Sequence, residues 1–346
     1  MKVSQYFLLL FFLTINHLAH AQNNFGKDKH IQRIAFYNVE NLFDTNDDII
    51  GRDEEFLPTS EKKWTPERYQ KKLNQLAQVF AEMEFPNIIG LCEVENMQTL
   101  RDLTEQTALK KEGYGIVHFE SPDYRGIDVA LLYKKKCFEV TDKSFIRINF
   151  PTEIVENYTT RDVLIVKGIL HKRDEVYFFV NHWPSRRGGL SQSSPKREYV
   201  AAQVRRETDK ILAADPQAKI ILMGDFNDEP DNKSVAEVLI KDARLHNAMT
   251  ALDERDEGTY NYRGNWNMID QFIVSEALTE KNAGLQLLDA YILRRDYLFY
   301  DDKKYGKTPT RTYGGKRYFG GYSDHLPIYL DLRQMSKKER KAVKAD

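Results

Sequence analysis

The feature that most constrains how this chain folds is a series of short apolar segments separated by polar turns. The segments YGIVHFE, IDVALLY, FEVTDKSFIRI, VLIVKGIL and VYFFVNHW are rich in β-branched and aromatic residues, which is typical of β-strands. Helical spacing occurs after Thr65 and Pro66, near 97–110, and over a helix beginning at Pro195 and ending at 213. Because strands outnumber helices, the pattern predicts two mixed β-sheets packed face to face with helices outside.

Polar and acidic residues follow the apolar part of six predicted strands. Taken singly, each has an ordinary structural explanation, such as a turn residue or a helix cap. Together they indicate a site, because buried acids are costly unless paired or metal-bound, and ligands of α/β proteins bind beyond strand ends. These residues are Asn38, Glu40, Glu93, Asn181, His182, Asp225, Asn227, Asp270, Asp324 and His325.

Composition limits the range of partners. The 346 residues are 41% hydrophobic, which is too apolar for a disordered chain, and the formal net charge of -1 gives no general attraction to nucleic acid. Affinity for a polyanion would have to come from a local basic patch. We expect one domain over 31–332, preceded by a polar leader (22–30) and followed by a basic C-terminal tail (333–346), and we expect a monomer.

The N-terminus has the form of a secretory signal peptide. Lys2 precedes an apolar run over 6–15, and Ala19 and Ala21 form a cleavage site of the A-x-A type. The run is short for a membrane span, although an uncleaved anchor is an alternative. We therefore predict that residues 1–21 are removed, that the mature protein is secreted or periplasmic, and that it has no stable membrane insertion.

The mature chain contains only two cysteines, Cys92 and Cys137. An exported protein could join them in a disulfide. Both lie in apolar segments with strand character, where a free buried thiol is common. We expect them to stay unpaired, so that the hydrophobic core stabilises the fold.

The ordered motifs YNVEN, CEVEN, NHWPS, GDFND, MIDQFIVS and SDHLPI resemble those of the endonuclease/exonuclease/phosphatase superfamily. That superfamily includes pancreatic-type deoxyribonuclease, apurinic endonucleases, inositol-polyphosphate phosphatases and bacterial sphingomyelinases. The resemblance runs from about residue 31 to 332. It implies a deoxyribonuclease-like four-layer α/β sandwich, with two packed mixed β-sheets flanked by helices, and Mg²⁺- or Mn²⁺-dependent hydrolysis of a phosphate ester.

The predicted metal ligands are oxygen atoms, which suit a hard cation such as Mg²⁺, and no cluster with zinc spacing competes. By the resemblance, Glu93 is the main carboxylate ligand and Asn38 contributes a carbonyl oxygen. Asp324 joins them or binds a second ion, and Glu40 matches an additional acidic position. The metal would polarise the phosphate.

The catalytic roles follow the same resemblance. Asp225 resembles the general base or water-orienting acid, and Asn227 would hold the nucleophile or the phosphate. Asp270 is expected to bond to His325, fixing its tautomer and raising its pKa so that it can donate to a phosphate oxygen. Asp324 and His325, adjacent in sequence, would then face the metal and the phosphate respectively.

His182 is expected to act as a second imidazole that contacts the phosphate or serves as general acid, with Asp128 as its orienting partner. Several branches of the superfamily have Tyr at this position, so His182 argues against an apurinic endonuclease. Arg161 and Asn181 are candidate phosphate donors, because a guanidinium group fits phosphate oxygens.

Two loops bear on the substrate. NHWPSRRGG places Arg186 and Arg187 close to His182 and resembles loops of exported bacterial nucleases, although a solvated surface explains the charges equally well. TPTRTYGGKRYFGGYSDH combines aromatic and cationic residues that could stack bases, bind another phosphorylated head group, or simply connect strands.

Three functions stay open on the sequence alone. The first is a nuclease or phosphodiesterase acting on DNA or RNA. The second is a phosphomonoesterase or a phospholipase-C-like hydrolase acting on inositol phosphate or lipid head groups. The third is a non-catalytic binding module, against which the intact set of acidic residues argues.

Overall fold

The structure, a computed structural model, describes residues 28, 30–48, 53–255, 257–280 and 284–343. The predicted signal peptide and nearly all of the polar leader lie outside the described residues. In chain order, the strands of the two large sheets are β1 (Ile31–Leu42), β2 (Ile88–Val94), β3 (Tyr114–His118), β4 (Asp128–Lys134), β5 (Phe138–Ile146), β6 (Val163–Leu170), β7 (Asp174–His182), β8 (Lys219–Asp225), β9 (Leu245–Asn247), β10 (Asp270–Ser275), β11 (Leu285–Ile292) and β12 (Ile328–Gln334).

The helices connect these strands. They are α1 (Pro66–Glu82), α2 (Met97–Glu105), α3 (Leu190–Ala214), α4 (Thr250–Asp253) and α5 (Lys337–Val343), with a π-helix over Ser234–Ile240 and 3₁₀ turns over Glu54–Phe56, Ala108–Glu112, Glu276–Leu278 and Asp296–Leu298. Three short hairpins pair Tyr260–Tyr262 with Asn265–Asn267, Phe299–Asp302 with Gly306–Pro309, and Tyr313–Gly314 with Arg317–Tyr318.

Both large sheets have six strands and mixed topology. The first sheet has the order β11-β12-β1-β2-β4-β3, and the second has the order β5-β6-β7-β8-β10-β9. Within each sheet one central pair is parallel, β1 with β2 and β7 with β8, and the neighbouring strands run antiparallel to it. The mixed sheets predicted from the strand pattern are therefore present.

Side chains of the central strands alternate between two cores. On β1, Ala35, Tyr37 and Val39 face α1 and α2, whereas Ile34 and Phe36 face the second sheet. This follows from the period of two along a strand, and strands buried on both faces become apolar almost throughout.

Strand β8 repeats the arrangement in the second sheet. Its Ile221 and Met223 join the core between the sheets, while Ile220 and Leu222 pack on α3. The layers are therefore helices, sheet, sheet and helices. This is the four-layer α/β sandwich that the resemblance implied.

Helix α3 begins earlier than the sequence predicts. It begins at Leu190, after Gly189, so Pro195 lies inside it instead of at its start. The main-chain N–H of Ser193 donates to the carbonyl of Gly189 at 3.2 Å, which closes the first turn before the proline is reached. Pro195, the sixth residue of the helix, then removes one hydrogen bond from its second turn.

Other departures lie toward the C-terminus. Strand β11 escapes sequence prediction because an irregularity between Leu287 and Asp289 interrupts its alternation. The predicted tail is partly structured: β12 extends to Gln334, whose side chain donates to Asp174 at 2.7 Å, and α5 follows.

Two further observations concern the whole described chain. Cys92 and Cys137 are free and buried, as expected. Within the described ranges, no helix combines the length and apolar character that crossing a membrane requires.

Candidate active site

Four candidate residues reach one edge of the first sheet. Parallel strands β1 and β2 bring Asn38 and Glu93 to this edge near their carboxyl ends. Strand β12 runs antiparallel to β1, so the segment entering it carries Asp324 and His325 to the same edge. Strand direction alone therefore gathers groups that are more than 280 residues apart in sequence, since Asn38 Nδ2 lies 3.4 Å from His325 Nε2 with a separation of 287 residues.

The second sheet contributes the remaining groups. Its register pairs His182 of β7 with Asp225 of β8, and Asp225 with Asp270 of β10. The two sheets are joined at this edge by Asn38, whose Nδ2 donates to Asp225 Oδ2 at 3.0 Å. The site thus lies across the interface between the sheets.

The backbone at this edge adopts unusual conformations. Glu40, Asn41, Glu93 and Asn227 have φ angles of 49°, 53°, 62° and 51°, in the left-handed region that non-glycine residues rarely occupy. Each such residue costs about 1–3 kcal/mol, and such strain clusters at functional sites. Here the strained residues directly follow, or interrupt, the strands that carry the candidate side chains.

His325 is held by a buried carboxylate. Its Nδ1 donates to Asp270 Oδ2 at 2.7 Å, which is the pairing predicted from the sequence. Burial lowers the pKa of His325, but the charge and hydrogen bond of Asp270 outweigh it, so the pKa is raised well above its usual value. The ring is therefore an imidazolium at neutral pH, and its Nε2 lies 3.4 Å from Asn38 Nδ2 and 3.9 Å from Asp225 Oδ2.

Asp225 lies between the two sheets and both of its oxygens are bonded. Oδ2 accepts from Asn38, and Oδ1 accepts from the main-chain N–H of Asn227 at 2.9 Å. Burial raises the pKa of Asp225 to about 7, with His325 opposing the shift and Asp270 adding to it. A carboxyl group with this pKa suits a general base that works near neutral pH.

The side chain of Asn227 differs from its predicted role. Its Nδ2 donates to the carbonyl of Trp183 at 3.0 Å, while its main-chain N–H bonds Asp225. The residue therefore positions the acid and ties β8 to the loop after β7. Its oxygen is the part of the side chain that remains for a ligand.

His182 is buried but has no carboxylate bonded to its ring. Its Nε2 lies 3.8 Å from Glu93 Oε1 and 3.7 Å from Asp225 Oδ2, and its Nδ1 has no hydrogen-bond partner among the described residues. Burial, together with Arg161 and Arg125, lowers the pKa of His182 well below its usual value. A ring that is neutral at pH 7 does not fit the predicted role of general acid, but it can still donate one N–H bond.

The predicted pairing of Asp128 with His182 is not present. Asp128 Oδ2 lies 3.0 Å from His118 Nε2, and its Oδ1 accepts from the N–H of Ser121 at 2.8 Å. The carboxylate starts β4 at the correct edge, but its two oxygens are taken by neighbours on the strand-to-strand connection.

Two predicted phosphate donors are structural residues. Arg161, 3% exposed, donates to Asp123 Oδ2 at 3.0 Å and to the carbonyl of Trp183 at 2.6 Å. Asn181 is fully buried; it donates to two main-chain carbonyls and accepts from Trp183 Nε1 at 3.1 Å. Both stabilise the loop that presents His182, and neither is available to a substrate from the surface.

The candidate side chains surround a cavity of about 720 Å³. Its lining includes Glu93, His182, Asp225, Asp324 and His325, together with Arg125, Arg186 and Arg187. Acids and imidazoles thus share one cavity with three arginines. Such a combination fits an anionic substrate bound beside carboxylates.

The three arginines differ in their contacts. Arg186 is tied down, with Nε donating to the carbonyl of Asn227 at 2.8 Å and Nη2 to Asn232 at 2.9 Å. Arg125 Nη1 lies 3.7 Å from Glu93 Oε1. Arg187 is exposed and has no hydrogen-bond or ion-pair partner within the described part of the chain. Arg187 is therefore the most available of the three for a phosphate.

Glu40 lines a different cavity from Glu93. That cavity, about 640 Å³, is also lined by Asp324 and Arg311. The Glu40 carboxylate accepts from the main-chain N–H groups of Thr312 at 2.6 Å and Tyr313, and burial with nearby Asp324 raises its pKa to about 7. Glu40 therefore anchors the loop before Asp324, and its predicted role as a metal ligand stays a prediction.

The carboxylates of Glu93 and Asp324 are the oxygen donors that remain for a hard divalent cation. Glu93 and Asp324 line one cavity, and Mg²⁺ typically uses one or two carboxylates while keeping several waters. In the described ranges, ligand atoms from three acidic or histidine residues lie within 4.8 Å of one another in two groups: Asp225, Asp270 and His325, and His118, Glu120 and Asp128. The first group is the hydrogen-bonded network described above, to which Asn38 bonds through its Nδ2. A metal role for the carbonyl oxygen of Asn38 stays a prediction.

Sequence reasoning missed several residues of the site. Arg125 lies in a turn before β4, and Arg311 lies 3.3 Å from Asp324 Oδ2. Ser323 donates to the carbonyl of Asn38 at 2.7 Å and accepts from the N–H of His325. Both arginines lie in turns next to acidic motifs, and this was the sequence signal that could have identified them. Nothing in the sequence indicates a contact such as that of Ser323.

The fold and the site together define a deoxyribonuclease-like α/β sandwich with its reactive groups at the shared edge of two sheets. The chain belongs to the Endonuclease/Exonuclease/phosphatase family, whose profile it matches over residues 33–334. This is a family of phosphoesterases. A comparison with curated protein sequences finds no match.

Solved structures support the fold. The human Nocturnin catalytic domain with bound sulfate is 17% identical, covers 88% of this chain and 94% of its own, and has a TM-score of 0.59. The mannosyl-6-phosphatase of Bacteroides thetaiotaomicron is 16% identical (87% and 99% covered, TM-score 0.55), as is truncated TDP2 of Caenorhabditis elegans (88% and 98%, 0.55). At these identities the similarity concerns the fold alone.

Proposed function

We propose that the protein is an exported phosphoesterase that depends on Mg²⁺ or Mn²⁺ and hydrolyses phosphodiester bonds of DNA or RNA. The observation that carries the proposal is the shared cavity in which Asp225, His325 and Glu93 meet three arginines. A base, an imidazolium and a carboxylate are the groups that phosphate-ester hydrolysis requires.

The shape of the site supports a diester over a monoester. Asp324 lines both the 720 Å³ cavity and the 640 Å³ cavity. A phosphate bound beside Asp324 and His325 therefore has room for an esterified group in each cavity. A diester has two such groups, and a monoester has one.

The residues divide the chemistry between them. Asp225, with its pKa raised to about 7, accepts the proton of the attacking water. His325 Nε2–H donates to a phosphate oxygen, while Asp270 holds the ring by its other nitrogen. Neutral His182 donates a second hydrogen bond. A divalent ion held by Glu93 and Asp324 would supply a Lewis acid for the phosphate and the leaving oxygen.

Export is a separate part of the proposal. It is supported by the signal-peptide pattern of residues 1–21, which lie outside the described residues. N-terminal sequencing of protein from the periplasm or medium of the producing cell is expected to begin at Gln22. Recovery of the full-length chain in the cell would contradict export.

A metal-dependent substrate panel tests the activity. Mature protein is incubated with plasmid DNA, RNA, bis-p-nitrophenyl phosphate and p-nitrophenyl phosphate, with Mg²⁺, with Mn²⁺, or with EDTA. We expect cleavage of nucleic acid and of the synthetic diester, and no cleavage in EDTA. The Asp225→Asn variant serves as the matched inactive protein.

The panel also separates the alternatives. Hydrolysis of the monoester alone would favour a phosphomonoesterase. Release of a phosphorylated head group from phospholipid vesicles, without cleavage of nucleic acid, would favour a phospholipase-C-like enzyme. Metal binding detected by calorimetry without turnover of any substrate would favour a non-catalytic binding module.

A further inference from the structure

A third cavity, here called the aromatic cavity, adjoins the site. It encloses about 370 Å³ and is lined by Tyr297, Tyr300, Phe319, Tyr322 and Arg311. Phe319 and Tyr300 are 50% and 40% exposed. Single exposed aromatics need no explanation, but several around one cavity mark a binding surface.

The walls of the aromatic cavity are built by close backbone packing. Gly321 approaches the loop opposite so closely that an added Cβ would lie 2.1 Å from the carbonyl oxygen of Thr310. Tyr322 is fixed by a hydrogen bond from its hydroxyl to Gln78 at 2.8 Å, and its ring lies 4.9 Å from that of Tyr297. The cavity is therefore preformed.

The aromatic cavity is lined by residues that adjoin Asp324 and His325 in sequence. Tyr322 precedes Asp324 by two residues and His325 by three. Arg311 lines the aromatic cavity and also the cavity beside Asp324, with its Nη2 3.3 Å from Asp324 Oδ2. Arg311 thus separates a ligand in the aromatic cavity from the proposed phosphate position beside Asp324.

We propose that the aromatic cavity is a base-binding subsite, which receives one nucleobase of a nucleic-acid strand whose backbone passes Arg311 to reach Asp324 and His325. The inference rests on the proposed function and names the substrate feature that the site recognises beyond phosphate.

Two features favour a nucleobase as the occupant. The cavity is lined by four aromatic rings, and planar bases stack on aromatic side chains whatever their sequence. Arg311 and Arg317, the latter 5.0 Å from the Phe319 ring, supply charge complementary to the phosphates on either side of the base.

The test compares Phe319→Ala with Phe145→Ala. Phe145 is a matched control, since it is 40% exposed and lies on β5 of the second sheet. Substrates are a single-stranded oligonucleotide and the same strand with abasic sites. We expect Phe319→Ala to raise KM about tenfold for the base-containing strand, to leave kcat within about twofold, and to leave KM for the abasic strand unchanged.

A binding measurement works without turnover. An oligonucleotide containing 2-aminopurine is titrated with protein in EDTA, and quenching of the base fluorescence reports stacking. We expect quenching by the wild type and by Phe145→Ala, and little quenching by Phe319→Ala or Tyr300→Ala.

The outcomes separate this inference from the proposed function. Failure to hydrolyse any diester would overturn the function, while quenching would still test the subsite. Diester hydrolysis with unchanged quenching in Phe319→Ala, or with equal effects on the base-containing and abasic strands, would overturn the subsite alone. Quenching abolished by lipid vesicles but unaffected by competing nucleotide would replace the base with an acyl chain as occupant, and would also overturn it.

Discussion

The two histidines of the site are buried to almost the same degree, His325 at 6% and His182 at 4% exposure, yet they ionise in opposite directions. Asp270 lies against the ring of His325 and raises its pKa, whereas burial and neighbouring arginines lower the pKa of His182. Burial alone therefore does not decide the charge of an imidazole. A carboxylate hydrogen-bonded to the ring, as Asp270 is to His325, outweighs burial, whereas burial and the arginines prevail at His182, which has no such bond.

The two histidines, one from each sheet, therefore have different chemical roles in the proposed function. The segment entering β12 supplies a cation, which in the proposed function donates to a phosphate oxygen. The end of β7 supplies a neutral donor, beside arginines that are themselves cationic. We expect substitutions on the His325 side to change both rate and pH dependence, and those on the His182 side to change rate alone.

The largest effect is expected at the acid shared by both histidines. Asp225→Asn should lower hydrolysis about 10³- to 10⁴-fold, because the amide cannot accept the proton of the nucleophile. The variant should remain folded with a somewhat lower unfolding temperature, since an amide can accept from only one of the two N–H groups that bond Asp225. Turnover near the wild-type rate in this variant would refute its role as base.

Asp270→Asn is expected to lower the rate about 10²-fold. Loss of the carboxylate removes the charge that keeps His325 protonated, so the pKa of His325 should fall. Ring NMR of the metal-free protein measures this directly: His325 should lose its proton at a higher pH in the wild type than in the variant. An unchanged His325 titration would show that Asp270 does not control the ring.

His182→Gln should lower the rate by about tenfold, the value of one neutral hydrogen bond to the phosphate. The shape of the pH profile should not change, because the ring is already neutral in the range of the assay. A shift in the profile would mean that His182 titrates during turnover, and the contrast between the two histidines would fail.

The pH dependence of the wild type follows from Asp225. Because its pKa is about 7 and the base must be deprotonated, the rate should rise with pH through neutrality. Between pH 6 and pH 8 the increase should be about tenfold. The reading is initial rate on the synthetic diester in buffers of constant ionic strength, and a rate that falls over this range would contradict the assignment.

The smallest effect is expected at Asp128, which serves as a control for Asp270. Both acids start a strand at the same edge and bond to a histidine, at 3.0 Å to His118 and 2.7 Å to His325. Asp128→Asn should change the rate by less than about threefold, because His118 does not line the cavity of about 720 Å³ that contains Asp225 and His325. A loss as large as that of Asp270→Asn would restore the predicted link between Asp128 and His182.

The Asp270–His325 pair was predicted through the family resemblance, and the strand ends bring both residues to one edge. That Asp225 lies near both histidines was not predicted. The mixed sheets followed from the apolar segments alone. The start of α3 did not follow, because Gly189 and the first-turn bond of Ser193 override the usual position of a proline.

Partners on the loops could not be predicted. Asp128 bonds to His118 and not to His182 because it begins β4, which pairs with β3, and His118 ends β3. Glu40 turns to main-chain N–H groups of the loop before Asp324. Arg161 is drawn inward by Asp123, which no spacing in the sequence indicates.

Because Asn38 donates a hydrogen bond to Asp225, the position of the proposed general base depends on the separation of the two sheets. The donor of this bond belongs to one sheet and its acceptor to the other. Deep in the interior between them, Gly90 leaves room for Met223, whose sulfur would lie 2.8 Å from an added Cβ. A methyl group there would force the flexible end of Met223 to move, which shows how closely the two sheets pack beneath the hydrogen bond that joins them.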